Sequence, residues 1–183
     1  MIFHPSPLVG AYTIDVQPFQ DNRGFFTRTF CENEFAQHNL VQHFVQANHS
    51  GTSSKGVIRG MHFQHLPHCE VKLVKCVQGA IYDVIVDVRK ESSTFLQWFA
   101  TDLTSENKRM MYVPAGFAHG FQALSEYSEI VYMVSNFYNK ESEGGVRYND
   151  PTVNIKWPLP VSLISEKDIN IPLVDSTFKG VNV

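Results

Sequence analysis

The chain has 183 residues, a length typical of one domain, so residues 1–183 are expected to form a single domain. Apolar residues make up 43% of the chain and charged residues 18%, a composition that excludes an intrinsically disordered protein. The net charge of -3, without a basic run, argues against nucleic acid and against an anionic membrane as partners.

Most of the chain is predicted to form short β-strands, because runs rich in β-branched and aromatic residues alternate with clusters of Gly, Pro, Ser and Asn. A single predicted helix covers residues 32–39. Many short strands at regular spacing predict an all-β sandwich or barrel, with the tail from Asn139 packed on the same domain. In chain order, the predicted strands cover residues 10–18, 25–30, 43–48, 56–63, 72–77, 81–88, 98–103, 109–113, 118–124 and 128–134.

Two of these strands carry more specific expectations. Strand 10–18 is apolar enough to pair with another sheet edge, as it would in a dimer. In strand 81–88, Asp83 and Asp87 share a face that is expected to line something polar. The opposite face of that strand is expected to be core and carries Tyr82, Val84, Val86 and Val88.

The N-terminal segment MIFHPSPLVG has neither the pattern of a signal peptide nor that of an Arg-rich transit peptide. No run in the chain approaches eighteen apolar residues. The three cysteines lack C-x-x-C spacing, which suits a reducing compartment better than a disulfide framework. We therefore expect a cytoplasmic protein with no membrane partner.

Two stretches of sequence carry the candidate chemistry: GMHFQHLPHCEVKLVKCVQG at residues 60–79 and VPAGFAHGF at residues 113–121. They resemble the paired motifs of the cupin jelly roll, whose metal-binding members use three His and one carboxylate. His62 and His119 stand at two of these ligand positions, but Gln64 and Lys72 stand at the other two. An ammonium group has no lone pair for a metal, so the sequence predicts a jelly-roll cavity without a metal.

The side chains left in this cavity suit proton transfer beside a ketone. A neutral His can remove a proton from the carbon next to a carbonyl, and a Lys can stabilise the resulting enolate. Inversion of that carbon also needs a proton donor on the opposite face, and Tyr132 and Tyr138 are both candidates. This combination predicts an epimerase or isomerase.

Further blocks extend a resemblance from about residue 9 to about residue 175. Together they resemble the dTDP-4-dehydrorhamnose 3,5-epimerase family. The resemblance implies a homodimeric cupin jelly roll with a few short helices that uses no metal or cofactor. It also implies a nucleotide-linked 4-keto-6-deoxyhexose as substrate, in deoxysugar biosynthesis for surface polysaccharide such as O-antigen. The blocks are DNRGFFTRTF, FVQANHS, GVIRGMHFQ, KLVKCVQGAIYDVIVDVRKESSTF, LTSENKR, VPAGFAHGFQALSE, FYNKESEGGVRYNDP and SEKD.

The resemblance also assigns roles to individual residues. It implies that His62 is the catalytic base and that Asp168 orients it. It further implies that Lys72 steadies the enolate and that Tyr132 is the acid, with Tyr138 as the alternative. Asp83 is either a more distant hydrogen-bond partner or a member of the His–Asp network. The residues implied in substrate binding are Arg23 and Arg59 for the diphosphate, Gln46 and Asn48 near the nucleotide and sugar, His119 in the cavity wall, and Phe26, Arg28 and Tyr138.

Several positions depart from the family's usual pattern and leave the substrate open. Arg28 and Ala47 replace carboxylates, and Glu70 replaces a glutamine. Because a guanidinium donates hydrogen bonds where a carboxylate accepts them, the nucleobase or sugar need not be the usual one. The alternatives are an epimerase of C3 alone or C5 alone on a differently linked 4-keto deoxysugar, for example a CDP-linked one, and a non-catalytic cupin that binds a sugar nucleotide.

Overall fold

The computed structural model describes every residue, Met1–Val183. Its thirteen strands are accompanied by two short α-helices and one 3-10 turn at Lys140–Ser142. The expected all-β class with a few short helices is confirmed. The elements are β1 (Ile2–Pro5), β2 (Tyr12–Asp15), β3 (Phe19–Asp21), β4 (Gly24–Phe26), α1 (Glu32–Gln37), β5 (Gln46–Thr52), β6 (Ile58–Gln64), β7 (Lys72–Gln78), β8 (Ala80–Asp87), β9 (Trp98–Thr104), β10 (Met110–Val113), β11 (Phe117–Ala123), β12 (Ser128–Val134), β13 (Glu143–Gly145) and α2 (Glu166–Ile169).

The strands form two main antiparallel sheets and a separate hairpin. One sheet has six strands in the order β1-β2-β10-β7-β12-β5, and the other has five in the order β13-β6-β11-β8-β9. Strands β3 and β4 pair only with each other. The first motif is thus divided between the sheets: its β6 pairs with β11 of the second motif in the five-stranded sheet, whereas its β7 belongs to the six-stranded sheet.

A hydrophobic core joins the inner faces of the two main sheets. Val74 and Met111 contribute to it from the six-stranded sheet, and Ile81, Ile85 and Phe121 from the other. Burial of such side chains is the main favourable term in folding. The core therefore holds the two sheets face to face. Side chains at the end of this core line the remaining space between the sheets.

Strand β8 is buried on both faces, so the prediction of one apolar and one polar face was only partly correct. Ile81 and Ile85 share the inner face with Asp83 and Asp87. The valines of the opposite face, Val84, Val86 and Val88, pack against the tail. The tail residues in this second core include Val146, Val153 and Ile155. The tail therefore covers the outer face of the five-stranded sheet.

The N-terminal strands differ from the prediction. Strands β1 and β3 were not predicted, and the predicted strand 10–18 is reduced to β2. β2 lies between β1 and β10, with hydrogen-bonded neighbours on both sides. The expectation that this strand offers a free edge to a second chain is therefore wrong, because its own N-terminal segment occupies that edge.

A close approach of β6 and β11 positions the candidate site. Gly60 has a φ of 114°, and a Cβ built there would lie 2.6 Å from the Cα of Gly120. Only glycine allows both this backbone conformation and this contact. Two residues further along β6, His62 lies opposite His119 in the strand pairing.

None of the helices is long and apolar enough to cross a membrane.

Candidate active site

A cavity with two lobes lies between the sheets. The first lobe has a volume of about 460 Å³ and the second about 340 Å³. His62, Lys72 and Tyr132 line both lobes. His62 comes from the five-stranded sheet, whereas Lys72 and Tyr132 come from the six-stranded sheet. A small molecule bound where the lobes meet would therefore have the imidazole on one side and the phenol on the other.

His62 is held by Asp168, as the sequence resemblance implies. Its Nε2 lies 2.6 Å from Asp168 Oδ1, and the backbone N–H of Gly60 donates to Oδ2 at 3.2 Å. The Asp168 side chain is 5% exposed and that of His62 is 33% exposed. The hydroxyl of Ser165 caps α2 by accepting from the Asp168 N–H, so the Asp168 carboxylate is free to reach β6.

The ionisation of Asp168 determines which imidazole nitrogen of His62 carries the proton. Burial by itself raises the pKa of this carboxyl group, but the hydrogen bond and charge of His62 and the Gly60 N–H hold the pKa below its usual value. An ionised carboxylate only accepts hydrogen bonds, so Nε2 of His62 donates. Nδ1 of a neutral His62 then keeps the lone pair that can take a proton.

Lys72 begins β7 and reaches across to His62. Its Nζ lies 3.1 Å from Glu70 Oε1 and donates to the backbone carbonyl of His62 at 3.4 Å. The side chains of Lys72 and Glu70 are both 10% exposed. An ammonium group has three donors, so these two contacts leave one for a substrate oxygen.

Tyr132 lies on β12 opposite Asn48 of β5. Burial and then the negative charge of Glu70 raise the pKa of the Tyr132 hydroxyl, while the charge of Arg59 opposes this shift. The phenol is therefore protonated at neutral pH and able to donate a proton.

His119, which lines the first lobe, forms a second His–carboxylate pair with Asp83 behind it. His119 Nε2 lies 2.7 Å from Asp83 Oδ1, and Asp83 is fully buried. Asp83 Oδ2 has no hydrogen-bond partner. Since Asp83 contacts His119 and not His62, it belongs to the support of the cavity wall and not to the His62–Asp168 pair.

The second lobe contains the remaining cavity residues of the sequence prediction. Gln46, Asn48 and Tyr138 line it, together with Glu143. The Tyr138 hydroxyl donates to Glu143 Oε2 at 3.2 Å, and the Tyr138 N–H donates to Gln46 Oε1. Glu143 also pairs with Lys167. The proton of Tyr138 is thus engaged by a carboxylate at the mouth of the lobe.

The family assignment follows from comparison with known proteins. The model of the dTDP-4-dehydrorhamnose 3,5-epimerase family matches residues 5–176. The chain belongs to this family. The epimerase of this name from Shigella flexneri is 48% identical over 153 residues, which are 83% of this chain and 84% of that protein.

Solved structures of family members have the same fold. The dTDP-4-dehydrorhamnose 3,5-epimerase of Elizabethkingia anophelis NUHP1 is 43% identical, with a TM-score of 0.93, and the match covers 97% of this chain and 98% of that one. A 3'-monoepimerase from Streptomyces bikiniensis, solved in complex with dTDP-quinovose, is 32% identical with a TM-score of 0.87. That match covers 93% of this chain and 86% of the other. The cupin jelly roll expected from the sequence is confirmed.

Three residues that the family resemblance assigns to substrate binding do not reach the cavity of their own chain. Arg23 and Phe26 lie on the β3–β4 hairpin, where Arg23 pairs with Asp21 and the Phe26 residue is 74% exposed. Arg28 lies 3.2 Å from Glu34, which also binds the N-terminal ammonium group. Their roles in binding remain predictions.

The structure brings to the cavity residues that had no predicted role. Glu70 pairs with Lys72, and Glu143 and Lys167 line the cavity. A sequence signal for Glu70 was available. In an extended segment residues two apart share a face, so Glu70 is expected on the same side as Lys72. Lys167 directly precedes Asp168 in the SEKD block, which was an available signal for that residue.

The absence of a metal ligand set leads to a testable prediction. Gln64 Nε2 donates to Glu70 at 2.7 Å, and Lys72 Nζ is tied to Glu70, so neither offers a lone pair toward His62. No group of three or more His, Cys, Asp or Glu side chains is arranged to hold a metal. We predict that activity survives prolonged chelation. Stoichiometric zinc, iron or nickel in the purified protein, lost together with activity, would contradict this prediction.

Proposed function

We propose that the protein is an epimerase that inverts C3 and C5, the carbons beside the C4 ketone of dTDP-4-dehydro-6-deoxyglucose, to give dTDP-4-dehydrorhamnose. One observation carries the proposal: a His62 imidazole held by an ionised Asp168 shares a cavity with Lys72 and Tyr132. Together they supply the base, oxyanion stabiliser and acid that inversion beside a ketone requires.

In the first step, Nδ1 of His62 removes the proton from the carbon next to the ketone. The electron pair of the broken C–H bond forms the C=C bond of an enolate, and the carbonyl π electrons move to oxygen. Asp168 keeps Nε2 as the donor and stabilises the imidazolium that results, as a carboxylate does in other His–Asp pairs. The hydrogen bond from Gly60 holds the carboxylate in turn.

The remaining N–H of Lys72 donates a hydrogen bond to the enolate oxygen. Fixed donors at a developing oxyanion in a water-poor site commonly supply a large part of catalysis. Lys72 is suited to this role because its other two donors are tied to Glu70 and the His62 carbonyl. The direction of the third donor is therefore set before substrate binds.

In the last step, Tyr132 protonates the carbon from the opposite face. The phenol loses its proton to carbon, the enolate returns to a ketone, and the configuration is inverted. Tyr132 and His62 project from opposing sheets, which supports this division of roles. Solvent then returns a proton to Tyr132 and removes one from His62, so no cofactor is needed.

The rest of the cavity suits a nucleoside diphosphate. Arg59 and Lys167 place two cationic side chains in the first lobe. The Arg59 guanidinium is oriented by Thr52 Oγ1 at 3.1 Å and the Gly51 carbonyl at 2.9 Å. Guanidinium groups with fixed geometry suit phosphate recognition.

We place the enzyme in the cytoplasm, in deoxysugar supply for surface polysaccharide; its three cysteines are free, in keeping with a reducing compartment.

The test is proton exchange in deuterated water, followed by NMR with dTDP-linked and CDP-linked 4-keto sugars. We expect deuterium at both C3 and C5 of the dTDP-linked substrate. Deuterium at one carbon only would support the second candidate, a single-position epimerase, which the similarity to the Streptomyces bikiniensis 3'-monoepimerase favours. Binding without exchange at either carbon would indicate a non-catalytic cupin.

The hairpin β3–β4 supports the proposal of a homodimer. Phe19, Phe25 and Phe26 are all exposed in the single chain, and Lys108 lies 4.4 Å from the centre of the Phe25 ring. Exposed apolar groups of this kind mark interaction sites. We propose that the hairpin packs on a second copy and carries Arg23 and Phe26 to the partner's cavity.

Light scattering at micromolar concentration tests the dimer, with an expected mass of twice the chain's 20.8 kDa. Phe26→Asp places an unpaired charge in the proposed interface and is expected to shift the protein toward the monomer. Val161→Asp, on another partly exposed apolar residue, serves as the control and should leave the mass unchanged. A monomer mass for the unmodified protein would contradict the proposal.

A further inference from the structure

Glu70 is a carboxylate inside the cavity to which the proposed mechanism gives no role. Its side chain is 10% exposed and lines the second lobe beside Lys72 and Tyr132. A buried charge is costly unless it is paired and hydrogen-bonded. Both oxygens of Glu70 are engaged: Oε1 lies 3.1 Å from Lys72 Nζ, and Oε2 accepts from Gln64 Nε2 at 2.7 Å.

The orientation of the Gln64 amide is fixed by its other contacts. Its Oε1 accepts from the backbone N–H of Asn139 at 2.6 Å, and its Nε2 also donates to two backbone carbonyls. Because a backbone N–H can only donate and a carbonyl can only accept, the amide cannot be reversed without losing these bonds. Glu70 therefore meets two donors, one on each oxygen, and a glutamine at this position would offer only one acceptor.

We propose that Glu70 is a positioning residue of the active site, which aims the Lys72 ammonium at the enolate oxygen and keeps negative charge beside the Tyr132 phenol. The proposal rests on the proposed function. In this proposal Glu70 acts on the reaction through its neighbours and not by contact with the reacting carbon. It links Gln64 at the end of β6 to Lys72 of the six-stranded sheet, in the lobe that Tyr132 also lines.

The effect on Tyr132 follows from charge. The negative charge of Glu70 adds to burial in raising the pKa of the Tyr132 hydroxyl, against the opposing charge of Arg59. Removal of the Glu70 charge therefore lowers this pKa, and Tyr132 loses its proton at lower pH. Several titratable or charged groups surround the cavity in which Tyr132 lies. They are Arg59 and His62 on β6, His119 on β11, Glu70 just before β7, Lys72 at the start of β7, Lys167 and Asp168 of α2, and Tyr138 and Glu143 in the second lobe.

Glu70→Gln tests the proposal, because it keeps the shape of the side chain and removes its charge. We expect kcat to fall about tenfold with KM within about twofold, since misplacement of Lys72 affects the transition state more than binding. We expect the Tyr132 midpoint to fall, because the negative charge that helps to raise the pKa of its hydroxyl is removed. It is read from NMR of ring-labelled tyrosine, with the signal assigned by Tyr132→Phe. The alkaline limb of the kcat profile should move in the same direction.

Glu129→Gln is the matched control. Glu129 lies on β12, the strand of Tyr132, but outside the cavity, where it accepts from the Tyr127 hydroxyl at 2.7 Å. This variant should lower the pKa of Tyr127, which Glu129 raises, and leave kcat and the Tyr132 midpoint unchanged. Glu70→Asp keeps the charge but shortens the reach to Lys72. It should reduce kcat and retain the high Tyr132 midpoint.

The outcomes separate this proposal from the proposed function. An unmodified protein that exchanges no proton would refute the proposed function. An active protein whose Glu70→Gln variant keeps its kcat, or keeps its Tyr132 midpoint, would overturn only the role of Glu70. If Glu70→Gln does not fold, as judged by circular dichroism, Glu70→Asp decides: unchanged kcat or a lowered midpoint would overturn the proposal.

Discussion

His62→Ala should abolish both solvent exchange and product formation. The loss should exceed the roughly 10²–10⁴-fold that is typical of a general base. His62 is the cavity imidazole whose Nε2 is tied to an ionised carboxylate and whose ring is still accessible. His119 is 9% exposed and tied to Asp83, so it cannot replace the lost base without rearrangement.

Exchange of the C3 and C5 protons by NMR measures this effect directly. His65→Ala is the matched control, because His65 follows the end of β6, is exposed and lines neither lobe of the cavity. It should retain exchange and inversion. If His62→Ala exchanges protons at a rate close to that of the unmodified protein, His62 is not the base.

The sequence was sufficient to predict the strands that carry the site. Strands β6, β7 and β12 lie within two residues of their predicted bounds, because short runs with apolar and β-branched residues indicate strands locally. His62, Lys72, His119 and Tyr132 lie on these strands or on β11 and do meet in one cavity. The sequence motifs therefore predicted correctly that these side chains lie close together. The motifs place each side chain on a strand, and the pairing and packing of the strands bring the side chains into one cavity.

Local sequence patterns could not predict contacts between residues that are far apart in the sequence. Asp168 is 106 residues from His62, and spacing alone also allowed it to cap a helix. In the structure Ser165 is the cap and Asp168 is the third residue of α2, so its carboxylate is free for His62. Only the family resemblance joined these two residues in advance.

The two faces of β8 could not be distinguished by alternation. Asp83 and Asp87 suggested a polar face, yet both are fully buried in the core. Asp83 is paired with His119, and Asp87 accepts hydrogen bonds from Arg89, Ser92 and Thr94. Local pattern shows which residues share a face, but partners from other segments decide whether a polar face is wet or buried.

Tyr132→Phe should separate proton exchange from inversion. Without the hydroxyl, His62 can still remove a proton and return one from solvent to the same face, so deuterium enters with retained configuration. Delivery from the opposite face fails, so product formation should fall by roughly the 10²–10⁴-fold of a lost general acid. The ring stays in place and keeps its packing against the core, so folding should be little affected.

The measurement is simultaneous NMR of deuterium incorporation and product formation. Tyr127→Phe removes an exposed hydroxyl outside the cavity and should change neither signal. Tyr138→Phe tests the alternative acid. Because the Tyr138 hydroxyl already donates its proton to Glu143 Oε2 at 3.2 Å, we expect this variant to keep inversion. If Tyr132→Phe inverts its substrate at the native rate and Tyr138→Phe does not, the acid is Tyr138. If both invert normally, proton delivery from the opposite face by a tyrosine is wrong, and the donor must be sought among the other groups that line the second lobe.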